Sequence, residues 1–333
     1  MKKAGILAFT KAGRELATEI ASHLSKEWDV EFDESGGTSP AEYVRNNFAG
    51  KDALVFVGAA GIAVRMIAPY VVSKDKDPAV IVIDEKGEYV IPILSGHLGG
   101  ANALAVYIAE ILKGKPVITT ATDVNGKFAI DVWTSANNCV ITDISNIKII
   151  SGAILRGEKV GFDPGNFEIV GDMPKELTLD RADSGVCISL SGDVQKYDTT
   201  LNAVPKIITV GVGCRKDTSD EDFETLLIET LKEHRISLLS VAKIASVNIK
   251  SQEKCILDFC RKYGIPFVTY SAEELMAVKG NFRSSDFVKS VTGADNICER
   301  SAVLSSGGKL LINREVKDGI TIAVAIREWE CRF

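Results

Sequence analysis

Two spacings of apolar residues alternate along the first third of the chain, and each predicts an element. Residues 4–9 are a short unbroken apolar run, read as a buried strand. Residues 13–25 place Leu16, Ile20 and Leu24 at helical intervals. Residues 28–32 read as a strand, Gly36-Gly37-Thr38 as a chain break, and Ser39-Pro40 as a helix start. A second buried strand over 52–57 turns through 58–61 into a helix over 62–70. Residues 79–84 and 88–94 flank Glu85-Lys86-Gly87 as a hairpin. A glycine-rich loop over 95–100 precedes an alanine-rich helix over 101–112, and 116–120 is read as the next strand.

The middle is less regular. Residues 144–155 look helical, and 161–205 are broken by Gly and Pro into short strands such as 186–190. From 206 the alternation resumes with a strand over 207–212. Thr218-Ser219-Asp220-Glu221 then supplies a capping signal for a helix reaching His234. A strand over 246–249, a helix over 253–263 and a strand over 266–270 follow. Strands over 309–312 and 320–326 close the chain around Lys317-Asp318-Gly319. Strands separated by helices predict the α/β class. The expected layout is two α/β domains with mainly parallel sheets, 1–133 and 206–333, flanking a small α+β middle domain, 134–205.

The 333 residues suffice for two or three domains, and 46% hydrophobic with 25% charged residues excludes a mostly disordered chain. The net charge of −6 argues against nucleic acid or an anionic membrane surface as a partner. Seven scattered cysteines, with no CxxC, read as reduced cytosolic thiols rather than metal ligands, so no metal site and a cytoplasmic location are expected. No apolar run approaches the roughly 20 residues of a membrane span. The run after Met1-Lys2-Lys3 reads as a strand rather than a signal peptide.

Three glycine loops sit between a predicted strand and helix: Gly58-Ala59-Ala60-Gly61, Ser95-Gly96-His97-Leu98-Gly99-Gly100 and Gly211-Val212-Gly213-Cys214-Arg215-Lys216. Backbone N–H groups at a helix start capture anions, and in open sheets ligands bind at that edge. Tight turns without a ligand are the alternative. Lys216 stands where a dinucleotide fingerprint needs a third glycine, and no GxxxxGK[ST] occurs, so simple NAD and P-loop readings are set aside. Of three histidines, His23 reads as solvated and His234 as a helix terminus. His97, inside a glycine loop, is the candidate for proton transfer, with loop bracing as the alternative. Thr119-Thr120-Ala121-Thr122-Asp123 brings hydroxyls and a carboxylate after the next strand, or is an N-cap. Arg65 is either a carboxylate partner or a surface charge.

The ordered combination resembles one family. Val57-Gly58-Ala59-Ala60-Gly61-Ile62-Ala63-Val64-Arg65 leads to Ile67-Ala68-Pro69 and then to Lys74-Asp75-Lys76-Asp77-Pro78-Ala79-Val80. Leu94-Ser95-Gly96-His97-Leu98-Gly99-Gly100-Ala101-Asn102 and the 119–123 run follow. This order is similar to the N-terminal domain of the cobalt-precorrin-5A hydrolase (CbiG) family of anaerobic cobalamin biosynthesis. The 211–216 loop and Thr292-Gly293-Ala294-Asp295-Asn296-Ile297-Cys298-Glu299 resemble its C-terminal domain, although Arg300-Ser301 stands where small residues usually follow the glutamate.

The resemblance implies opening of the ring A δ-lactone of a cobalt-bound tetrapyrrole and release of the former bridge carbon, with its methyl, as acetaldehyde. It implies no organic cofactor, since cobalt arrives with the substrate. The expected partner is this small-molecule polycarboxylate, alongside a homodimer and transient contacts with other pathway enzymes. A wide flat substrate suits a cleft between two domains. On this reading His97 activates water, with Asp123 or Thr120 orienting it. N–H groups near Gly99 and Gly100, with Asn102, meet the oxyanion. Gly58, Gly61, Arg65, Ser95, Thr119, Gly211, Gly213, Cys214, Arg215 and Lys216 are the expected substrate contacts. The 58–61, 95–100 and 119–123 loops are expected at one sheet edge. A competing mechanism makes Cys214 a nucleophile. The alternatives from other classes are a non-catalytic tetrapyrrole carrier and a sugar-phosphate or nucleotide enzyme.

Overall fold

The structure is a computed structural model that describes residues 1–32, 39–74 and 76–333; the predicted break at Gly36-Gly37-Thr38 and Asp75 of the 74–80 motif lie outside the described residues. The chain divides into two compact units, residues 1–132 and 133–333. Among the described residues no helix is long and apolar enough to cross a membrane.

The first unit runs β1 (Lys2–Ala8), α1 (Lys11–Leu24), β2 (Trp28–Phe32), α2 (Pro40–Asn47), β3 (Ala53–Val57), α3 (Ala60–Ile67), β4 (Ala79–Ile83), β5 (Tyr89–Leu94), α4 (Ala101–Leu112), β6 (Lys115–Pro116) and α5 (Ala121–Val124), and α6 (Ile130–Ala136) starts at its end. Its sheet has the order β2-β1-β3-β4-β5-β6. Every residue of β3 is buried. Ala53, Val55 and Val57 pack with Ile20, Leu24 and Ile108 on one face, while Leu54 and Phe56 pack with Val44, Phe48 and Ile67 on the other. Burial on both faces is why this strand reads as a continuous apolar run.

Strands β1 to β4 are parallel, but β5 folds back antiparallel on β4, pairing Leu94 with Val80, and β6 runs with β5. The hairpin therefore reverses the exit of every later loop. Loop 58–61 leaves where β3 and β4 end, whereas 95–100 and 119–123 leave where β4 begins. The expectation of one shared edge for all three is corrected: Gly58, Gly61 and Arg65 stand at the opposite end. The strand expected over 116–120 is also shorter. Lys115 and Val117 donate N–H to Glu88 and Val90, and the chain then leaves the sheet.

The second unit holds two five-stranded sheets. The first comprises β7 (Cys139–Ile141), β8 (Val160–Asp163), β10 (Leu177–Thr178), β11 (Ser184–Ile188) and β12 (Thr199–Pro205), with α7 (Ser145–Arg156) packed on it. Strand β9 (Ile169–Val170) lies outside this sheet. The second comprises β13 (Ile208–Gly213), β14 (Val241–Val247), β15 (Phe267–Tyr270), β16 (Lys309–Lys317) and β17 (Ile320–Ile326) in the order β15-β14-β13-β17-β16. Helices α8 (Asp220–Glu233) and α9 (Lys254–Tyr263) cover one face through Phe223, Leu227, Ile256 and Phe259. Helices α10 (Ala272–Ala277), α11 (Asp286–Thr292) and α12 (Cys298–Ser306) follow β15. The terminal strand β18 (Cys331–Arg332) pairs with β9, and Trp133 Nε1–H donates to the Arg332 carbonyl at 2.8 Å.

The strand expected over 246–249 is instead Val241–Val247, because the exposed Lys243 interrupts its apolar pattern. Helix α12 escapes pattern reading because Glu299, Arg300 and Ser301 are buried polar residues, which removes any amphipathic stripe. This helix crosses β13 closely: a Cβ on Gly211 would lie 1.8 Å from the Cys298 carbonyl oxygen. Gly211 therefore serves helix packing, where the sequence reading gave it a substrate contact. Gly211→Ala is expected to destabilise the second unit by about 1–3 kcal/mol through overpacking. Denaturant unfolding measures this, and an unchanged midpoint would contradict the packing.

Candidate functional site

The 95–100 loop is shaped by its own side chains. Ser95 adopts φ 56°, and its Oγ–H donates to the Asp77 carbonyl at 3.0 Å. The Asp77 carboxylate accepts the Val72 N–H. A Cβ on Gly99 would lie 2.4 Å from Ser95 Cβ, and Gly100 takes φ 81° at the start of α4. Glycine is required at both positions, by contact at one and by the left-handed backbone at the other.

This turn holds His97 between two carboxylates. Its Nε2–H donates to Asp123 Oδ2 at 2.8 Å, and its Nδ1–H meets both oxygens of Asp131 at 3.0 and 3.1 Å. Asn102 Nδ2–H donates to the same Asp123 oxygen at 2.7 Å and to Thr120 Oγ1 at 3.0 Å. The structure thus brings His97, Asn102, Thr120 and Asp123 into one network, while Thr119 is exposed beside it. Asp131 was not singled out in the sequence. Its only signal is an acid set into the apolar stretch Ile130-Asp131-Val132-Trp133.

The His97 side chain is 11% exposed, Asp131 10% and Asp123 35%. The Asp131 hydrogen bond is the largest influence raising the His97 pKa, burial opposes it, and the Asp123 bond adds to the rise, which brings it to about 9. His97 is therefore an imidazolium at neutral pH. This corrects its expected part as the water-activating base, because a ring already carrying both protons has no lone pair to accept a third. The expected oxyanion cradle loses the Gly100 N–H, which is already engaged. The Gly100 N–H donates to the His97 carbonyl, and the Asn102 N–H to Gly96. The more exposed Asp123 carboxylate is the proton acceptor this geometry offers. The bonds from His97 and Asn102 both fall on its Oδ2.

The second unit carries a cavity of about 470 Å³ lined by the 213–216 loop, α11 and the start of α12. Arg215, Lys216, Lys250 and Arg314 supply positive charge to it, and Phe287, Val288 and Val291 an apolar wall. Phe287 is 78% exposed. Buried Glu299 ties two of the lining residues, Asn296 and Arg314, to Arg283: it accepts N–H groups from Arg283 at 3.0 Å, Asn296 Nδ2 at 2.6 Å and Arg314 at 2.8 Å. Arg300 grips Asp295 and the carbonyls of Leu275 and Val278, and Ser301 Oγ–H donates to Ala245. The Arg300-Ser301 departure is thereby accommodated by polar packing. Gly213, Cys214, Arg215 and Lys216 meet at this cavity, in a different unit from His97. The Cys214 thiol pKa is lowered, first by the Cys255 S–H beside it, with burial opposing and Lys250 assisting.

Two family descriptions match the chain: cobalamin synthesis G N-terminal over residues 42–123, and cobalamin synthesis G C-terminus over residues 208–325. The first covers His97 and Asp123, and the second covers the cavity. A cobalt-precorrin-5A hydrolase of Salmonella typhimurium LT2 is 36% identical over 315 residues, spanning 91% of this chain and 89% of the relative. Another from Priestia megaterium is 35% identical over 294 residues, spanning 82% and 78%. The crystal structure of a cobalamin biosynthesis protein G homolog from Sulfolobus solfataricus covers 98% of this chain and 97% of its own at 26% identity, with a TM-score of 0.44.

Proposed function

This chain belongs to the cobalamin synthesis G family, and from that premise we propose that it is a cobalt-precorrin-5A hydrolase of cobalamin biosynthesis. The substrate is a cobalt-bound tetrapyrrole carrying many carboxylates, and no organic cofactor enters the reaction. Work in the cytoplasm, as a homodimer in brief contact with other pathway enzymes, belongs to the same proposal.

The observation that carries the assignment of the site is the His97 bridge between Asp123 and Asp131. Asp123 accepts the proton of a water as that water attacks the ring A lactone carbonyl. His97 orients Asp123 through the Nε2–H bond, and its positive charge offsets the oxyanion that develops. Collapse of the tetrahedral intermediate frees the lactone oxygen as an alkoxide. The alkoxide forms the carbonyl of acetaldehyde as its carbon–carbon bond to the macrocycle breaks. That bond's electron pair stays on the macrocycle, which takes up a proton. Asn102, which also donates to Thr120, fixes the carboxylate; Asp131, which faces the far ring nitrogen, is a positioning residue.

The basic, apolar-walled cavity of the second unit suits the carboxylates and flat ring of this substrate class. Incubation with cobalt-precorrin-5A is expected to release acetaldehyde in stoichiometric amount. Binding without release would instead support the carrier alternative. Arg215→Glu is expected to raise KM about tenfold or more with kcat little changed, since the residue contacts carboxylates remote from the bond broken. An unchanged KM removes Arg215 from substrate binding.

A further inference from the structure

We propose that Cys214, Cys255 and Glu253 form a binding site for a soft divalent metal ion of the zinc class. The inference stands on geometry apart from the hydrolase reading. The sulfur and carboxylate donors of these three residues all lie within 4.8 Å of one another. The two Sγ atoms are 4.0 Å apart. Zinc–sulfur bonds of about 2.3 Å at a tetrahedral angle place two thiolates roughly 3.8 Å apart, so little movement is needed. A disulfide would require closure to about 2.05 Å.

The donors are held by regular elements. Cys214 directly follows β13, Glu253 precedes α9, and Cys255 is the second residue of that helix. The Glu253 carboxylate is not engaged in capping its own helix. Its Oε2 instead accepts the Lys250 ammonium at 2.6 Å, and its Oε1 the Asp217 N–H at 3.3 Å. Two thiolates and a carboxylate exceed the charge of a divalent ion by one, and Lys250 stands where it offsets that excess.

The donors are also reachable. Cys214 lines the 470 Å³ cavity, and Glu253 lines an adjoining cleft of about 630 Å³. Lys216, Ile249 and Lys250 line both. Three protein donors with open space beside them leave a fourth position for water or a ligand, as at zinc sites that bind or activate small molecules. On binding, each ligating thiol passes its proton to solvent, including the one the sulfurs share, so uptake releases protons and strengthens with pH.

The test is titration of the reduced full chain, without substrate and under anaerobic conditions, with Co²⁺ alone. One ion per chain is expected, with thiolate-to-cobalt charge-transfer absorption that Zn²⁺ abolishes by displacement. Cys214→Ser should remove the band, and Glu253→Gln should weaken binding beyond the roughly tenfold lost when only an outer partner is changed. Lys250→Met should change affinity several-fold in a pH-dependent way, because it alters the charge at the carboxylate without touching a sulfur. Cys255 is buried, so Cys214→Ser on the cavity wall carries the test if Cys255→Ser does not fold. Absence of the band in the wild type overturns the site. So does a band that survives Cys214→Ser, which would come from others among the seven cysteines.

Discussion

Replacing His97 by alanine is expected to lower acetaldehyde release by roughly 10²–10³-fold, the usual share of a preorganised charge or donor at a reacting centre. His23→Ala and His234→Ala are the controls. His23 bonds within its own helix, and His234 pairs with Glu315 in the second unit. The pH profile distinguishes what His97 does. Its pKa is raised from the usual 6.5 to about 9. The bridge therefore contributes stability fully below pH 6.5, and that contribution is lost as pH rises through about 9. Activity that needs the imidazolium falls over the same upper range. A general base with that pKa would make activity rise there instead, and such a rise would restore the water-activating part to His97. Asp131→Asn weakens the largest influence on the ring, so the alkaline fall should move to lower pH. A purely structural Asp131 would change the amplitude and leave the position of the fall alone.

Removal of the buried Glu299 carboxylate is expected to destabilise the second unit by about 1–3 kcal/mol. Glu299→Ala takes an acceptor from three N–H donors: the part-buried backbone groups of Arg283 and Arg314, and the buried Asn296 amide, which keeps its bond to the Arg283 carbonyl. An orphaned donor costs about 1–3 kcal/mol. Glu299→Gln retains one acceptor oxygen and should fall between the two. Denaturant unfolding followed by fluorescence measures the difference. A loss of under about 1 kcal/mol would mean that the donors find water and that Glu299 does not hold Asn296 and Arg314 in place.

Elements were legible in the sequence wherever burial is periodic. The both-face burial of Val55 and Phe56, the helical spacing of Leu16, Ile20 and Leu24, and the hairpin at Gly87 are local patterns, and each was visible without the fold. His97, Thr120 and Asp123 could be singled out because glycine-rich and hydroxyl-rich loops at strand ends have few packing reasons to contain such groups, and Asn102 entered only with the family resemblance. What the imidazole does was not legible. Its charge depends on Asp131, 34 residues away and not marked by any spacing. In the same way Cys214 and Cys255 are 41 residues apart and resemble no metal pattern, yet the fold sets their sulfurs 4.0 Å from each other.

The sequence by itself determined the α/β class, the order of strands and helices in the first unit as far as α4, and the family, because each follows from local periodicity or from motifs in a fixed order. Only the tertiary structure decided which loops meet. One antiparallel strand, β5, sends the His97 loop to the opposite end of the sheet from Gly58, Gly61 and Arg65, and strand direction is a property of pairing that the side-chain pattern of a strand buried on both faces does not record.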